Sequence, residues 1–177
     1  NATLLLGLDT DTQDTSGEVI SKADTDSIME LSEDKVFETI KSYIGDYDQI
    51  PPMFSAIKIG GEKLYNLARR GEVIERPARH CRIIDITVTK MELPRVDLHV
   101  TCSKGTYIRT LCHDIGKDLG VGGCMEKLVR TKVERFSVED SITLKQIEEF
   151  RDNNTLEDYI TPVDEMLGNY SKCMVSK

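Results

Sequence analysis

The stretch C-S-K-G-T-Y-I-R, residues 102–109, sets a cation (Lys104), a flat aromatic with a polar tip (Tyr107) and a second cation (Arg109) close together. It follows an alternating apolar run (Val96, Leu98, Val100) and precedes a helical pattern that begins near Thr106. A strand that turns through glycine into a helix leaves its last residues in the open and the helix's first N–H groups unpaired. A ring between two positive charges suits a nucleobase and the phosphates beside it. The same residue types also make an ordinary helix start with a structural ion pair.

The flanking elements would present this octet. Residues 80–91 and 95–103 alternate apolar and polar around Pro94, which predicts an antiparallel pair delivering the chain to it. Ile108, Leu111, Cys112, Ile115 and Leu119 then recur along one face of a helix ending near Gly120, with Tyr107 and Arg109 at its first turn and off that face. Upstream, residues 3–8 read as a buried strand. Residues 9–17 are crowded with Asp, Thr, Ser and Gly and read as a loop. Asp11 and Asp14 there lack the glycine and terminal glutamate of a calcium loop. A polar linker over 21–31 leads to a helix capped by Ser32, with Glu33 and Asp34 at its positive end, Val36, Ile40 and Ile44 inward, and Gly45 as its stop.

Residues 49–79 form an excursion. Pro51 and Pro52 forbid a central strand. A short strand (56–59), a Gly60-Gly61 turn and a helix (62–70) follow, with Leu64, Leu67 and Ala68 inward. The cations Lys58, Lys63, Arg69, Arg70, Arg76 and Arg79 make this either a basic clamp for RNA or a cover for the sheet's edge. Past Gly122-Gly123, residues 124–130 read as a short helix carrying Leu128, residues 133–138 as a strand, and Thr143 with Gln146 as a capping box for a helix over 144–150. The tail from Asn153 shows no element.

A chain of 177 residues, 39% hydrophobic and 31% charged, is a soluble globular domain or one with a small appendage. It shows neither an apolar run of membrane length nor a secretion leader, so the expectation is a cytoplasmic protein. Five cysteines without paired spacing read as reduced thiols. The net charge of −8 is unevenly spread: −9 over residues 1–50, +4 over 51–90, +2 over 91–135 and −5 over 136–177. A polyanion would meet the middle of the chain and be repelled by its ends.

Three blocks together, residues 7–17 (G-L-D-T-D-T-Q-D-T-S-G), residues 49–71 (Q-I-P-P-M-F-S-A-I-K-I-G-G-E-K-L-Y-N-L-A-R-R-G), and residues 102–120 continuing to L-V-R-T at 128–131, resemble the bacterial TruB family of tRNA pseudouridine synthases. The likeness runs from about residue 3 to 167. It implies isomerisation of the uridine at position 55 in the tRNA T loop. The base is flipped from its stack, the N1–C1′ bond breaks, the uracil turns, and C5 is joined to C1′, without cofactor or metal. It further implies that Tyr107 packs against the flipped uracil and can take part in proton transfer, and that Arg109 pairs with the catalytic aspartate. Leu128 would be an apolar pocket wall, with Lys104 and Arg130 near the RNA backbone. Residues 51–77 match a thumb-like insertion that closes on the T arm, with Pro52, Ser55 and Lys58 nearest the site. The parent protein would be a monomer that engages tRNA and no membrane.

The sequence also departs from the family. The family's aspartate stands in a G-x-L-D-P-x-A-x-G block upstream of the portion matching Gly7, and residues 1–177 contain no such block. A family tyrosine would fall just before Asn1, and an RNA-binding PUA domain would follow residue 170. Val129 replaces a usual arginine. The expectation is therefore a fragment, inactive alone: a partial catalytic domain over 1–170 with 171–177 opening a linker. A non-catalytic RNA-binding or tRNA-folding module is the alternative. A thiol hydrolase built on Cys112 and His113 fails, because adjacent helical residues point about 100° apart. The expected fold is α+β, a mixed, mainly antiparallel sheet flanked by helices.

Overall fold

The computed structural model describes residues 1–166. The chain divides into two units, Asn1–Arg130 and a second beginning at Thr131, and each is described by itself. In the first unit the expected hairpin is present: β7 (Arg79–Glu92) pairs antiparallel with β8 (Arg95–Cys102), with Ile86 opposite Val100 and Val88 opposite Leu98. β1 (Ala2–Leu6) pairs with the other edge of β8, and β9 (Gly123–Leu128) pairs with β1. β4 (Gly45–Gln49) lies outside β7, so the order is β4-β7-β8-β1-β9, with every neighbour antiparallel.

Alternation puts Leu4 with Leu6 and Val96 with Leu98 on one face of this sheet, and a register shift in β7 after Ile83 brings Ile83 and Ile86 onto the same face. Two helices cover that face. α2 (Glu33–Ser42) supplies Val36 and Ile40; α4 (Ile108–Asp118) supplies Leu111, Cys112 and Ile115. These side chains are at most 2% exposed. Each large one buried stabilises the fold by roughly 1.5–3 kcal/mol, so this shared core fixes where α4 begins. The opposite face carries polar pairs, with the Thr3 hydroxyl donating to Asp97 at 2.6 Å and Arg95 bound to Glu126 at 2.9 Å. Among the described residues no helix is long and apolar enough to cross a membrane.

Several sequence expectations are corrected. Residues 21–31 are not a linker: β3 (Val19–Lys22) pairs with β2 (Leu8–Thr10), and α1 (Thr25–Met29) is capped by Asp24, whose carboxylate accepts from the Ser27 N–H at 2.7 Å. The loop expected over 9–17 is thus shortened by β2. α2 starts on its Ser32 cap as expected but ends at Ser42, and Ile44 is exposed; Gly45, at φ +118°, opens β4 instead. The helix expected over 124–130 is β9, because the free edge of β1 recruits those residues into the sheet.

Within 51–77, β5 (Lys58–Ile59) and β6 (Glu62–Lys63) form a hairpin over the glycine pair, and α3 (Leu64–Arg69) starts two residues later than expected. Met53, Leu64 and Leu67 form a separate small core beneath it. In the second unit the expected single strand is a hairpin, β10 (Lys132–Val133) with β11 (Phe136–Ser137), reversed through Glu134 at φ +52°. α5 (Leu144–Asp152) carries the expected Thr143/Gln146 capping box. The tail expected to lack elements forms a 3₁₀ turn (Leu156–Tyr159), whose Tyr159 ring stacks on Phe150 at 3.9 Å, and α6 (Val163–Met166). Cys81, Cys102, Cys112 and Cys124 are free thiols. Cys173 and the expected linker over 171–177 lie outside the described residues.

Candidate active site

β8 ends at Cys102 and its pairing with β7 extends one step further. The Ser103 N–H donates to the Arg82 carbonyl at 2.8 Å, and the Ser103 hydroxyl accepts from the Arg82 N–H at 2.9 Å. The chain then turns through Gly105 at φ +86°, a conformation side chains resist, and Thr106 closes the turn by donating to the Ser103 carbonyl at 2.9 Å. α4 follows with Tyr107 as its N-cap and Ile108 as its first residue, two residues later than the sequence pattern suggests. Tyr107 makes no side-chain capping bond and is half-buried.

Two residues on, the Arg109 guanidinium lies 5.9 Å from the Tyr107 ring centroid, with its side chain 21% exposed. The ring and the guanidinium are therefore neighbours in one half-buried patch at the start of α4, the mouth of the candidate site, neither sealed in the core nor on opposite sides. Arg109 is gripped from two directions. Its Nη1 faces Asp14 Oδ2 at 3.4 Å, and its Nη2 donates to the Phe54 carbonyl. The sequence reading left Asp14 in a loop without a role. That loop sits against β9, with the Met125 N–H donating to the Gln13 carbonyl at 3.0 Å and the Thr15 N–H to the Met125 carbonyl at 3.1 Å.

Asp14 Oδ1 accepts from the Thr12 hydroxyl at 2.8 Å, the Ser16 N–H at 3.1 Å and the Ser16 hydroxyl, which leaves Oδ2 for Arg109. Burial pushes the Asp14 carboxyl up. The Ser16 and Thr12 hydrogen bonds, with the Arg109 charge, more than reverse this and hold it below the usual carboxylate range. Thr110, 2% exposed, donates to Gln13 Oε1 at 2.6 Å and pins the same loop to α4.

The other sequence candidates are placed as follows. Lys104 is exposed in the turn before Tyr107. Pro52 and Ser55 are buried on either side of Phe54, and the Ser55 hydroxyl has no hydrogen-bond partner among the described residues. Lys58 is exposed on β5. Leu128, 47% exposed, ends β9 about 10 Å along the strand from Met125, and Arg130 is exposed just beyond it. Neither is joined to the Tyr107–Arg109 cluster by a bond among the described residues. On the insertion, Lys63 and Arg69 both approach the Tyr65 ring at 5.3 Å. Arg70 is already neutralised by Glu62 at 2.6 Å and Glu72 at 2.7 Å.

The histidines each meet a polar partner: His80 and Asp48 at 3.0 Å, His99 and Asn1 at 2.7 Å, His113 and Asp9 at 3.0 Å. Cys112 is sealed in the core, and burial pushes its thiol up to about 12, which removes it as a nucleophile. No group of metal-ligating side chains is assembled among the described residues.

The family model for the N-terminal domain of TruB family pseudouridylate synthases matches residues 1–108. The chain belongs to this family. A model for the C-terminal domain of tRNA pseudouridylate synthase B matches residues 109–168, so the boundary between the two family models falls at the start of α4 and inside the first compact unit. A Clostridium tetani protein named tRNA pseudouridine synthase B is 46% identical over 176 residues, covering 99% of this chain and 58% of its own length. Its namesake from Alkaliphilus oremlandii is 46% identical over 174 residues, covering 98% and 56%. The chain thus spans somewhat more than half of these relatives. A solved Cbf5-Nop10-Gar1 complex contains a chain with TM-score 0.64 and 26% identity, matched over 94% of this chain and 41% of that one. A chain in an H/ACA RNP structure, at TM-score 0.60 and 22% identity, shares the fold.

Proposed function

We propose that the parent protein, acting as a monomer on the T arm, isomerises the position-55 uridine of tRNA to pseudouridine. The observation that carries this is the Tyr107 ring beside the Arg109 guanidinium in one half-buried patch, in a chain that belongs to the TruB family. Flipping the uridine out of the T loop costs a few kcal/mol. Tyr107 offsets part of that cost by receiving the face of the base, while Leu128 walls the pocket and Lys104 and Arg130 hold the backbone. Lys58, exposed on the insertion, approaches the same strand of RNA, while the buried Pro52 and Ser55 support the insertion's root from beneath.

The N1–C1′ bond then breaks, the uracil rotates, C5 bonds to C1′, and the proton leaves C5 as N1 gains one. The product is an isomer of the substrate, with the C5 proton given up to solvent and one taken up at N1, so the reaction consumes no co-reactant. Tyr107 stands where it can relay the C5 proton. Arg109 supplies the positive charge that keeps a neighbouring catalytic carboxylate ionised.

Asp14 is not that carboxylate in our reading. Its Oδ1 is saturated by Thr12 and Ser16 and its Oδ2 faces Arg109, so it holds the arginine rather than the sugar. Residues 1–177 taken alone are accordingly inactive. The test is release of tritium carried at C5 of the uridine in unmodified tRNA. The full-length parent should release it, Arg109→Ala should cut the rate heavily, and residues 1–177 should release none. Release by the 177-residue chain sinks the inactivity claim, and no release by the parent sinks the isomerase reading.

A further inference from the structure

We propose that Gln49 is a positioning residue for the isomerisation, setting the Tyr107 backbone and thereby the direction from which ring and guanidinium enter the mouth. The inference rests on the roles given above to Tyr107 and Arg109. Gln49 is the last residue of β4 and is 2% exposed, so it contacts no RNA itself. Its amide grips Tyr107 at two points. Nε2 donates to the Tyr107 carbonyl at 3.0 Å, and Oε1 accepts from the Tyr107 N–H at 2.8 Å. One rigid side-chain plane thus fixes the peptide groups on both sides of the Tyr107 Cα.

A buried amide is costly unless its donor and acceptor are both used. Here both are used, and both on one residue. The need is local. Tyr107 is the N-cap of α4 without a capping bond of its own, and the Thr106–Ser103 bond closes the turn before it without holding the Tyr107 peptide groups themselves. Gln49 supplies that hold from 58 positions away.

The chain leaving Gln49 adds a second hold. It runs through Pro51 and Pro52 and offers the Phe54 carbonyl to Arg109 Nη2. The residues that open the 51–77 insertion therefore secure Tyr107 by its backbone and Arg109 by its head, so the insertion's root and the reacting groups form one corner.

Replacing Gln49 in the full-length parent tests this. Gln49→Leu removes both bonds. A misplacement near 1 Å costs on the order of 100-fold in rate, so kcat should fall ~100-fold while KM for unmodified tRNA stays within about threefold, because no RNA contact is lost. Gln49→Glu distinguishes positioning from packing. A neutral carboxylic acid can still donate to the Tyr107 carbonyl and accept from its N–H, whereas the carboxylate can only accept. Burial raises that acid's pKa, so the ratio of its kcat to wild type should climb as pH falls from about 8 to about 6, while the Leu variant's ratio stays flat.

Wild-type kcat in both variants, or a raised KM with kcat retained, overturns the proposal. If Gln49→Leu does not fold, the Glu profile decides alone: a pH-independent ratio, or a Glu variant unfolded across the range by thermal melting, overturns positioning. Should wild type itself release no tritium, the isomerase reading falls. If wild type and Arg109→Ala behave as expected while the Gln49 variants are silent, only the present inference falls.

Discussion

Asp14→Asn probes the junction on which the Arg109 geometry depends. Asparagine can keep its carbonyl oxygen at the Oδ1 position, where Thr12 and Ser16 donate, so the loop's turn survives. What changes is Oδ2: an NH2 group now faces the Arg109 guanidinium, donor against donor. A charge-assisted hydrogen bond stabilises by about 1.5–3 kcal/mol. The pair is 21% and 19% exposed and its 3.4 Å separation exceeds the ideal of about 2.7–2.9 Å, which places it at the low end, ~1.5 kcal/mol. A double-mutant cycle with Arg109→Gln, read by urea unfolding near neutral pH, should give a coupling of about 1–1.5 kcal/mol. Asp14 titrates below the usual carboxylate range when folded, so its contribution is fully present above the unfolded pKa and is lost as pH falls through the folded value. The wild-type and Asn stability curves should therefore converge in acid. In the full-length parent, freeing Arg109 should lower kcat at least tenfold, since about 1.4 kcal/mol of lost positioning is a factor of ten. A coupling under ~0.3 kcal/mol, or curves that stay parallel into acid, would refute the pairing.

Three other outcomes follow from the fold. Asp114 is the reverse of Asp14: burial raises its carboxyl, and the Tyr47 hydroxyl hydrogen bond only partly offsets this. Its ionisation therefore costs stability as pH rises past the unfolded value, and Asp114→Asn, which keeps an acceptor for Tyr47, should melt at or above the wild-type temperature at pH 7 but not at pH 4. Gly116→Ala should destabilise by roughly 3 kcal/mol or leave the protein insoluble, because a Cβ on α4 would meet the Gly123 backbone nitrogen at 2.3 Å; an unchanged melting temperature contradicts the packing of α4 on β9. Burial pushes the Cys112 and Cys124 thiols up to about 12 and about 11, so mass-spectrometric mapping after brief alkylation of native protein should find Cys102 modified well before either. Equal rates would show that the core opens.

Strand β8 and the helix α4 were legible because their apolar positions keep one period, as in Val96 and Leu98 or Leu111 and Ile115, and the hairpin partner β7 was legible despite two register shifts because its apolar residues still recur along its length. β9 was not. Gly-Cys-Met-Glu-Lys-Leu is too short for period to separate helix from strand, and the decision was made by the unpaired edge of β1, which no local pattern reports. β4 does alternate, through Tyr47 and Gln49, but extending α2 to the next glycine concealed it. The site divides in the same way. Lys104, Tyr107 and Arg109 could be read from one octet, whereas Asp14, Gln49 and Phe54 stand 95, 58 and 55 positions from the residues they hold. The D-T-S at 14–16 was correctly read as turn chemistry, and that reading hid the second carboxylate oxygen, which is free to reach Arg109.

One local signal did point at the site. Helices prefer Ser, Thr, Asp or Asn at the N-cap, by roughly 1 kcal/mol over residues that cannot cap, and α4 carries Tyr107 there instead. A residue that is wrong for its local position survives where the wider structure compensates and something else requires it. Here the compensation is visible: Gln49 fixes the Tyr107 peptide groups from another strand. The position can therefore carry an aromatic instead of a capping side chain, and the ring it carries stands beside Arg109.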